Sequence, residues 1–283
     1  MSVRKPVVAG YFYEGRKESL IKQIEWAFTH KLGPGYIPRV SEERNKESIG
    51  FVVPHAGYIY SGPIAAHSYA RLASEGKPDV FVLLGPNHTG AGEAVSVWSE
   101  GAWETPLGYA NIDVDLAKEI ISNSRYARPD KLAHYEEHSI EVQIPFLQYL
   151  FKDVSIVPIS IMYQVPEISE DLATSIFKAS SKLGRDAVVI ASTDLTHYEP
   201  HERAVEKDKV VLDKIKSLDP VGLFDVVLRK NISMCGVAPV MTLLYYAKLS
   251  GSSGAEVLKY GTSGDVSGDK TLVVGYSAVR ILK

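Results

Sequence analysis

Short runs of Val, Ile and other apolar residues recur along the chain and alternate with segments of helical periodicity. A continuous apolar run of this length is typical of a strand buried on both faces, as in a parallel sheet. Six runs have this character: 49–54, 80–86, 94–98, 154–161, 187–192 and 271–282. Strands alternating with helices predict a three-layer α/β/α fold with a largely parallel or mixed central sheet.

The segments between these runs place apolar residues at helical spacing. Between residues 16 and 32, for example, Leu20, Ile24 and Phe28 fall on one face, as in an amphipathic helix. The same pattern predicts helices in six segments: 16–32, 114–124, 139–151, 170–183, 204–218 and 237–249.

The polar stretches of the chain are typical of loops inside one fold. Residues 32–48 and 250–256 are polar, but both are short and closely flanked by core segments. The sequence has no internal repeat and no low-complexity tract. We therefore expect residues 1–283 to form a single domain.

Composition and charge argue against several classes of partner. The chain has 31 basic and 34 acidic residues, and its net charge of −3 does not favour nucleic acid or an acidic membrane. No apolar run approaches the ~20 residues that span a bilayer. The N-terminus also lacks the long apolar segment of a signal peptide. The expected location is the cytoplasm.

Three of the eight histidines come at the ends of predicted strands. His55, His88 and His197 follow the runs 49–54, 80–86 and 187–192, in that order. Ligands in open α/β sheets bind outside the carboxyl ends of the strands, so these imidazoles are predicted to share one polar site, with Asp194 beside them. A structural role for each histidine is the alternative, but three at equivalent strand ends favour the shared site. Such a cluster suits a metal, acid–base chemistry or both.

The single cysteine, Cys235, excludes an intramolecular disulfide. It lies just ahead of the apolar segment 237–249, with Gly236 between them. A helix amino terminus stabilises a thiolate, and a thiolate binds metals. If this turn folds toward the histidines, two imidazoles and one sulfur could hold a metal and leave positions open. A small buried thiol is the other interpretation, and no short metal-binding signature decides between them.

Two further segments could line a pocket. In "HYEEHSIEVQIPFLQYLF", His138 and Glu141 would share the polar first turn of an apolar helix, although a capped amphipathic helix explains the pattern equally well. In "EGAWETPLGYANID", Trp103 lies in a compact turn that either folds over the core or forms an aromatic wall of the pocket. A small molecule is expected to enter over Trp103, Tyr58 and Tyr60.

Several of these stretches together resemble the Memo family, named for a mediator of cell motility. The matching pieces occur in the family's order over nearly the whole chain: "PVVAGYFY", "VVPHAGYIYSGPIAAHSY", "LLGPNHTG", "WETPLG", "EEHSIEVQIPFLQ", "STDLTHY", "CGVAPV" and "GTSGDVSGD". The resemblance implies a fold related to the LigB-type class III extradiol ring-cleaving dioxygenases, which are non-haem iron enzymes.

The resemblance also implies roles for individual residues. His55 and His88 would be the two metal-binding histidines, and Cys235 would stand where the dioxygenases have a glutamate. His197 would be the catalytic acid–base histidine, with Asp194 orienting its neighbours. A thiolate in place of the carboxylate shifts the metal preference toward copper or zinc and exposes the site to oxidation, so ring cleavage does not carry over.

The expected function is that of a metal-dependent redox enzyme, dioxygenase-like, that uses iron or copper, with zinc as a third option. The substrate is an unknown small molecule. Related microbial chains suggest AMMECR-type or radical-SAM pathway proteins as partners. A non-catalytic module that binds a peptide or protein in the same pocket is the alternative, and hydrolysis by metal-activated water is a weaker one. The sequence leaves the metal, the substrate and the oligomeric state open.

Overall fold

A computed structural model describes residues 2–283 and has a central mixed sheet with helices on both faces. The strands of this part of the chain are β1 (Val3–Arg4), β2 (Ser48–Val53), β3 (Val80–Pro86), β4 (Val95–Val97), β5 (Ala102–Thr105), β6 (Gly108–Ile112), β7 (Ala127–Pro129), β8 (Ser155–Ile161), β9 (Ala187–Ser192), β10 (His197–Glu199), β11 (Gly254–Thr262) and β12 (Val273–Leu282). The α-helices are α1 (Lys17–Thr29), α2 (Tyr58–Ser74), α3 (Val114–Asn123), α4 (Ile144–Phe151), α5 (Pro166–Leu183), α6 (His201–Lys216), α7 (Pro220–Arg229), α8 (Val237–Leu249) and α9 (Ser263–Ser267).

The sheet has a parallel centre and antiparallel flanks. Its strand order is β1-β5-β6-β8-β3-β9-β2-β12-β10, and β8, β3, β9 and β2 run parallel to one another. Strand β12 is antiparallel to β2 and pairs on its other side with β10 and β11. Strand β4 pairs with β8 and β7. The prediction of a largely parallel or mixed sheet is confirmed.

Helices cover the two faces of the sheet in separate groups. Helices α1, α2 and α4 pack together on one face, whereas α3, α5 and α8 form a connected layer against the other. Every residue of β2 and of β3 is buried, which is why their sequences are continuous apolar runs. The three-layer α/β/α prediction is therefore confirmed. Within residues 2–283, no helix is both long enough and apolar enough to cross a bilayer.

Each of the six predicted helices and six predicted strands has an observed counterpart, but helices α2, α7 and α9 and strands β1, β5, β6, β7, β10 and β11 were not predicted. Helix α2 carries Gly62 and Pro63 within its first two turns and is buried around most of its circumference. A helix that is packed on several sides has no polar stripe, so its 3.6-residue period is hidden in the sequence. The loop expected at 250–256 gives way at Gly254 to β11, which is half-buried and pairs with β12.

Candidate metal centre

His55, His88 and Asp194 meet at the carboxyl edge of the sheet because the three neighbouring strands that precede them end there. Strand β9 lies between β3 and β2, and all three run parallel. His55 follows the end of β2, His88 follows β3, and Asp194 follows β9. One ligand atom each from His55, His88 and Cys235 lie within 4.8 Å of one another.

Cys235 reaches this edge because the turn before α8 approaches β9 closely. A Cβ atom on Gly236 would lie only 2.4 Å from the carbonyl oxygen of Ser192, so the approach requires glycine. The Cys235 Sγ atom lies 3.1 Å from His55 Nε2 and accepts a hydrogen bond from the Asp194 backbone N–H at 3.1 Å. The sulfur therefore joins the imidazoles, as the expected ligand set requires.

The protonation state of Cys235 follows from its surroundings. Burial first, and then the negative charge of Asp194, raise the pKa of the Cys235 thiol above its ordinary value. The amino terminus of α8 does not overcome these two effects, so the metal-free residue is a thiol, as in the second of the two sequence-based interpretations, and not a stabilised thiolate. A bound metal would have to displace this proton.

His88 is oriented by the buried carboxylate of Glu137, which was not among the predicted site residues. The Glu137 carboxylate accepts hydrogen bonds from His88 Nδ1 at 2.9 Å, from the His88 backbone N–H at 2.6 Å and from the Ser139 backbone N–H at 2.8 Å. Burial opposes ionisation of Glu137, but the hydrogen bond and charge of His88 outweigh it and hold the Glu137 pKa at about 2. A carboxylate only accepts, so Nδ1 of His88 carries a proton and Nε2 is the ring nitrogen that remains for a metal. Burial lowers the pKa of His88, but the hydrogen bond and charge of Glu137 outweigh it and raise that pKa, so a metal at Nε2 would displace a proton from the charged ring.

His55 sits in a more enclosed position than His88. Its ring is buried, and Nδ1 lies 2.9 Å from the Ser192 hydroxyl, which can either donate or accept. Burial foremost, with the neighbouring His138 and His88, lowers the pKa of His55 well below its ordinary value. The ring is therefore neutral, which is the form that binds a metal.

The ring of His138 lies in the same cluster as His55 and His88. Its ring stacks on His88 with centroids 4.8 Å apart and meets His55 edge-on at 5.4 Å. His88, Glu137 and His138 also form a second group of potential ligands. A metal held there through Nδ1 of His88 would have to replace the hydrogen bond to Glu137, so we do not regard this group as a separate site.

His197 and Asp194 have different hydrogen-bond partners in the site. His197 Nδ1 lies 2.8 Å from the Ser233 carbonyl oxygen and must donate to it, which leaves Nε2 free. The His197 backbone N–H donates to the Ser233 hydroxyl at 2.8 Å. Asp194 is buried, and its carboxylate accepts the His55 backbone N–H at 2.8 Å. Burial raises the pKa of Asp194 to about 6.

Three of the expected pocket residues are core residues instead. Tyr58 is 3% exposed, and its hydroxyl donates to the Val142 carbonyl at 2.5 Å. Trp103 is 1% exposed beneath the Arg4 guanidinium, which lies 4.1 Å from the ring centroid. Glu141 is fully buried and paired with Arg4 at 2.5 Å. The expectation that these three side chains line an open pocket is corrected, because none of them offers a surface to a ligand.

Comparisons with known proteins agree with the motif pattern. A family profile described as Memo-like protein matches residues 4–280. A protein of Sulfurisphaera tokodaii named MEMO1 family protein is 54% identical over 281 residues, which cover 98% of this chain and 99% of that protein. A MEMO1 family protein of Ignicoccus hospitalis is also 54% identical over 281 residues and covers 99% of both chains.

A solved structure shares the fold at much lower identity. It is the crystal structure of the uncharacterized protein JW3007 from Escherichia coli K12, with a TM-score of 0.57 and 14% identity. The match covers 81% of this chain and 98% of the other. At this identity the likeness concerns the fold alone.

Proposed function

Because the chain belongs to the Memo-like protein family, we propose that it is a metal-dependent redox protein in which His55, His88 and Cys235 hold one iron or copper ion. The observation that carries the proposal is the convergence of two imidazoles and one sulfur, with ligand atoms within 4.8 Å of one another. Imidazole and thiolate ligands suit copper, iron and zinc, whereas magnesium and calcium prefer oxygen.

The surroundings of the three donors fit a metal. Metal-binding histidines usually hydrogen-bond through the ring nitrogen that faces away from the metal. Nδ1 of His88 bonds to Glu137, Nδ1 of His55 bonds to Ser192, and the Nε2 atom of His55 faces Cys235 Sγ at 3.1 Å. The side chain of His88 is 34% exposed, so the group is reachable from solvent. Three protein ligands would leave coordination positions open for a substrate.

The chemistry divides between the metal and the surrounding side chains. When bound, iron or copper supplies redox chemistry and Lewis acidity. His197 serves as the acid–base group. Its Nδ1–H donates to the Ser233 carbonyl, so Nε2 is left to accept a proton from a bound molecule. Asp194 fixes the geometry of the site: its carboxylate accepts a hydrogen bond from the His55 backbone N–H, and its own backbone N–H donates to Cys235 Sγ. The partners that we propose are an unknown small-molecule substrate and, by resemblance, AMMECR-type or radical-SAM proteins.

Metal analysis of protein purified without a histidine tag tests the ligand set. After anaerobic loading with ferrous iron or with copper and removal of free metal, we expect one ion per chain. His55→Ala and Cys235→Ser should lose it, because each removes one of only three donors. His30→Ala is the matched control, since His30 packs against Trp26 at the end of α1 and is not in the cluster. Unchanged metal content in His55→Ala and Cys235→Ser would overturn the ligand assignment.

The redox part of the proposal is tested separately with His197. His197→Ala should keep its metal and lose the oxygen uptake of the loaded protein, because the proton acceptor is removed and the ligands remain. Loss of metal in this variant would make His197 a ligand. A fully loaded wild-type protein that consumes no oxygen with any reductant or small-molecule substrate tried would overturn the redox function while leaving the metal site in place.

A further inference from the structure

Resting on the proposed metal site, we infer that Ser192, Gln143 and Tyr69 fix His55 in the neutral tautomer that can bind a metal through Nε2. We call these three residues the Ser192 chain. They come from the end of β9, the turn before α4 and the middle of α2, and each is 1% exposed. They are positioning residues, because none of them belongs to the ligand set itself.

The neighbours of the Gln143 side-chain amide fix its orientation. One end of the amide lies 3.0 Å from the Pro54 carbonyl oxygen, which can only accept, so that end must be the NH₂ group. The Tyr69 hydroxyl lies 2.5 Å from the other end and donates to Oε1. Rotating the amide by half a turn would set two carbonyl oxygens against each other in a buried position. The orientation of Gln143 therefore follows from its neighbours.

The neighbours of Ser192 Oγ determine which of them receives its hydroxyl hydrogen. Its Oγ atom has three neighbours at hydrogen-bond distance: Gln143 Nε2 at 2.8 Å, the Ser139 carbonyl oxygen at 2.7 Å and His55 Nδ1 at 2.9 Å. Gln143 Nε2 only donates, so the single hydroxyl hydrogen goes either to the Ser139 carbonyl, which only accepts, or to His55 Nδ1; the shorter distance and the obligatory acceptor favour Ser139. The hydroxyl then has nothing left to donate to His55. Nδ1 of His55 must carry the proton, and Nε2 presents its lone pair.

The opposite tautomer would break this pattern at a buried place. If the Ser192 hydroxyl donated to His55, the carbonyl of the fully buried Ser139 would lose its 2.7 Å donor and keep only Gln143 Nε2 at 3.5 Å, and a poorly paired buried acceptor is unfavourable. His55 Nε2 would then carry a proton toward Cys235 Sγ, where a metal would have to sit. The metal-binding form of His55 is thus selected before any metal arrives, which is preorganisation of a ligand by its surroundings.

The tautomer can be measured directly in the metal-free protein. Long-range proton–nitrogen NMR of ¹⁵N-histidine-labelled protein distinguishes the two neutral forms, and His55→Ala identifies the signal. For the wild type we expect a proton on Nδ1. In Ser192→Ala we expect a mixed population or a proton on Nε2, and roughly 10–100-fold weaker binding of ferrous iron or copper, the range typical of lost second-layer partners.

A matched control separates this effect from the loss of any buried hydroxyl. Ser160 lies on the neighbouring part of the same sheet, is fully buried, and its hydroxyl has no hydrogen-bond partner within residues 2–283. Ser160→Ala should leave the His55 tautomer and the metal affinity unchanged. Far-ultraviolet circular dichroism of both variants verifies that they are folded.

The outcomes distinguish this inference from the proposed function. A metal-free wild type with the proton on Nε2 of His55 overturns the inference without any variant, as does a Ser192→Ala protein with unchanged tautomer and unchanged affinity. Either result leaves the metal site standing. A wild type that binds no iron or copper overturns the proposed function, whereas the tautomer measured in the metal-free protein still tests the Ser192 chain.

Discussion

At the scale of single residues, the interior of this protein contains buried polar side chains, each with its own specific neighbours. His134 illustrates the principle outside the candidate metal centre. It is fully buried, its ring meets Trp98 and Trp103 edge-on, and Nε2 lies 3.1 Å from the Ser96 carbonyl oxygen. Burial foremost, and then the charge of Arg4, lower the pKa of His134 to about 4. A histidine of this kind makes stability depend on pH.

We expect the free energy of unfolding to decrease as the pH falls from about 6.5 to about 4 because of His134. The unfolded chain takes up a proton near the ordinary histidine pKa, whereas the folded protein resists protonation until about pH 4, so acid favours unfolding across that window. The expected loss at about pH 4.5 relative to pH 7 is about 2 kcal/mol, on a scale of about 1.4 kcal/mol for each pKa unit. Urea unfolding at the two pH values measures it.

His134→Gln is the variant for this measurement, since its amide can still donate to Ser96 and does not titrate. Its unfolding free energy should depend less on pH between about 6.5 and 4 than that of the wild type. His30→Ala, near the protein surface, should leave the wild-type dependence largely in place. Equal pH dependence in the wild type and in His134→Gln would contradict the role given to His134.

The sequence reveals ligands more readily than it reveals the residues that orient them. His55 and His88 could be predicted because each follows a recognisable strand. Glu137 and Ser192 could not, since their importance depends on partners 49 and 137 positions away. The "EEH" triplet offered a signal, because His138 in it was singled out, but nothing local says which of its carboxylates faces inward.

At the scale of elements, the site depends on how closely α8 approaches the end of β9. Helix α8 was predicted with its observed bounds, because its apolar run begins directly after "CG" and ends before a Ser/Gly loop. The close approach itself could not be predicted from the sequence, because it depends on the three-dimensional neighbours of Gly236. A Cβ at this position would lie 2.4 Å from the Ser192 carbonyl oxygen and 2.6 Å from Thr193 Cβ. The φ angle of Gly236 is −105°, which other residues adopt, so steric contact is the reason for glycine.

Gly236→Ala should therefore act by pushing α8 away from β9. We expect a loss of about 1–3 kcal/mol of unfolding free energy, the usual effect of overpacking, together with weaker metal binding because Cys235 moves relative to His55. Gly57→Ala is the matched control at the same edge: a Cβ there would have no neighbour closer than 3.6 Å, and the φ angle is −56°. Urea unfolding and metal titration of both variants measure the difference, and equal behaviour would contradict the steric account.

At the scale of the whole molecule, one buried carboxylate connects the N-terminal segment to the layer that carries the site. Glu141 is paired with Arg4, which lies 137 positions earlier. It also accepts hydrogen bonds from the Val7 backbone N–H at 2.9 Å, the Val8 backbone N–H at 3.1 Å and the Tyr13 hydroxyl at 2.7 Å. Such long-range pairing explains why sequence patterns predicted the α/β layers but assigned Glu141 to a pocket. That residues 1–283 form one domain stays a prediction.

Glu141→Gln should destabilise the protein strongly and loosen the N-terminal segment. The change leaves the buried Arg4 guanidinium without its counter-charge, which typically costs about 3–5 kcal/mol. Unfolding in urea measures the loss, and hydrogen exchange should become faster first in residues 3–15. Glu104→Gln is the matched control, because Glu104 pairs with Lys5, whose side chain is 71% exposed, and such a surface pair contributes about 1 kcal/mol or less. Two results would contradict this role of Glu141: an equal loss of unfolding free energy in the two variants, or hydrogen exchange in residues 3–15 as slow as in the wild type.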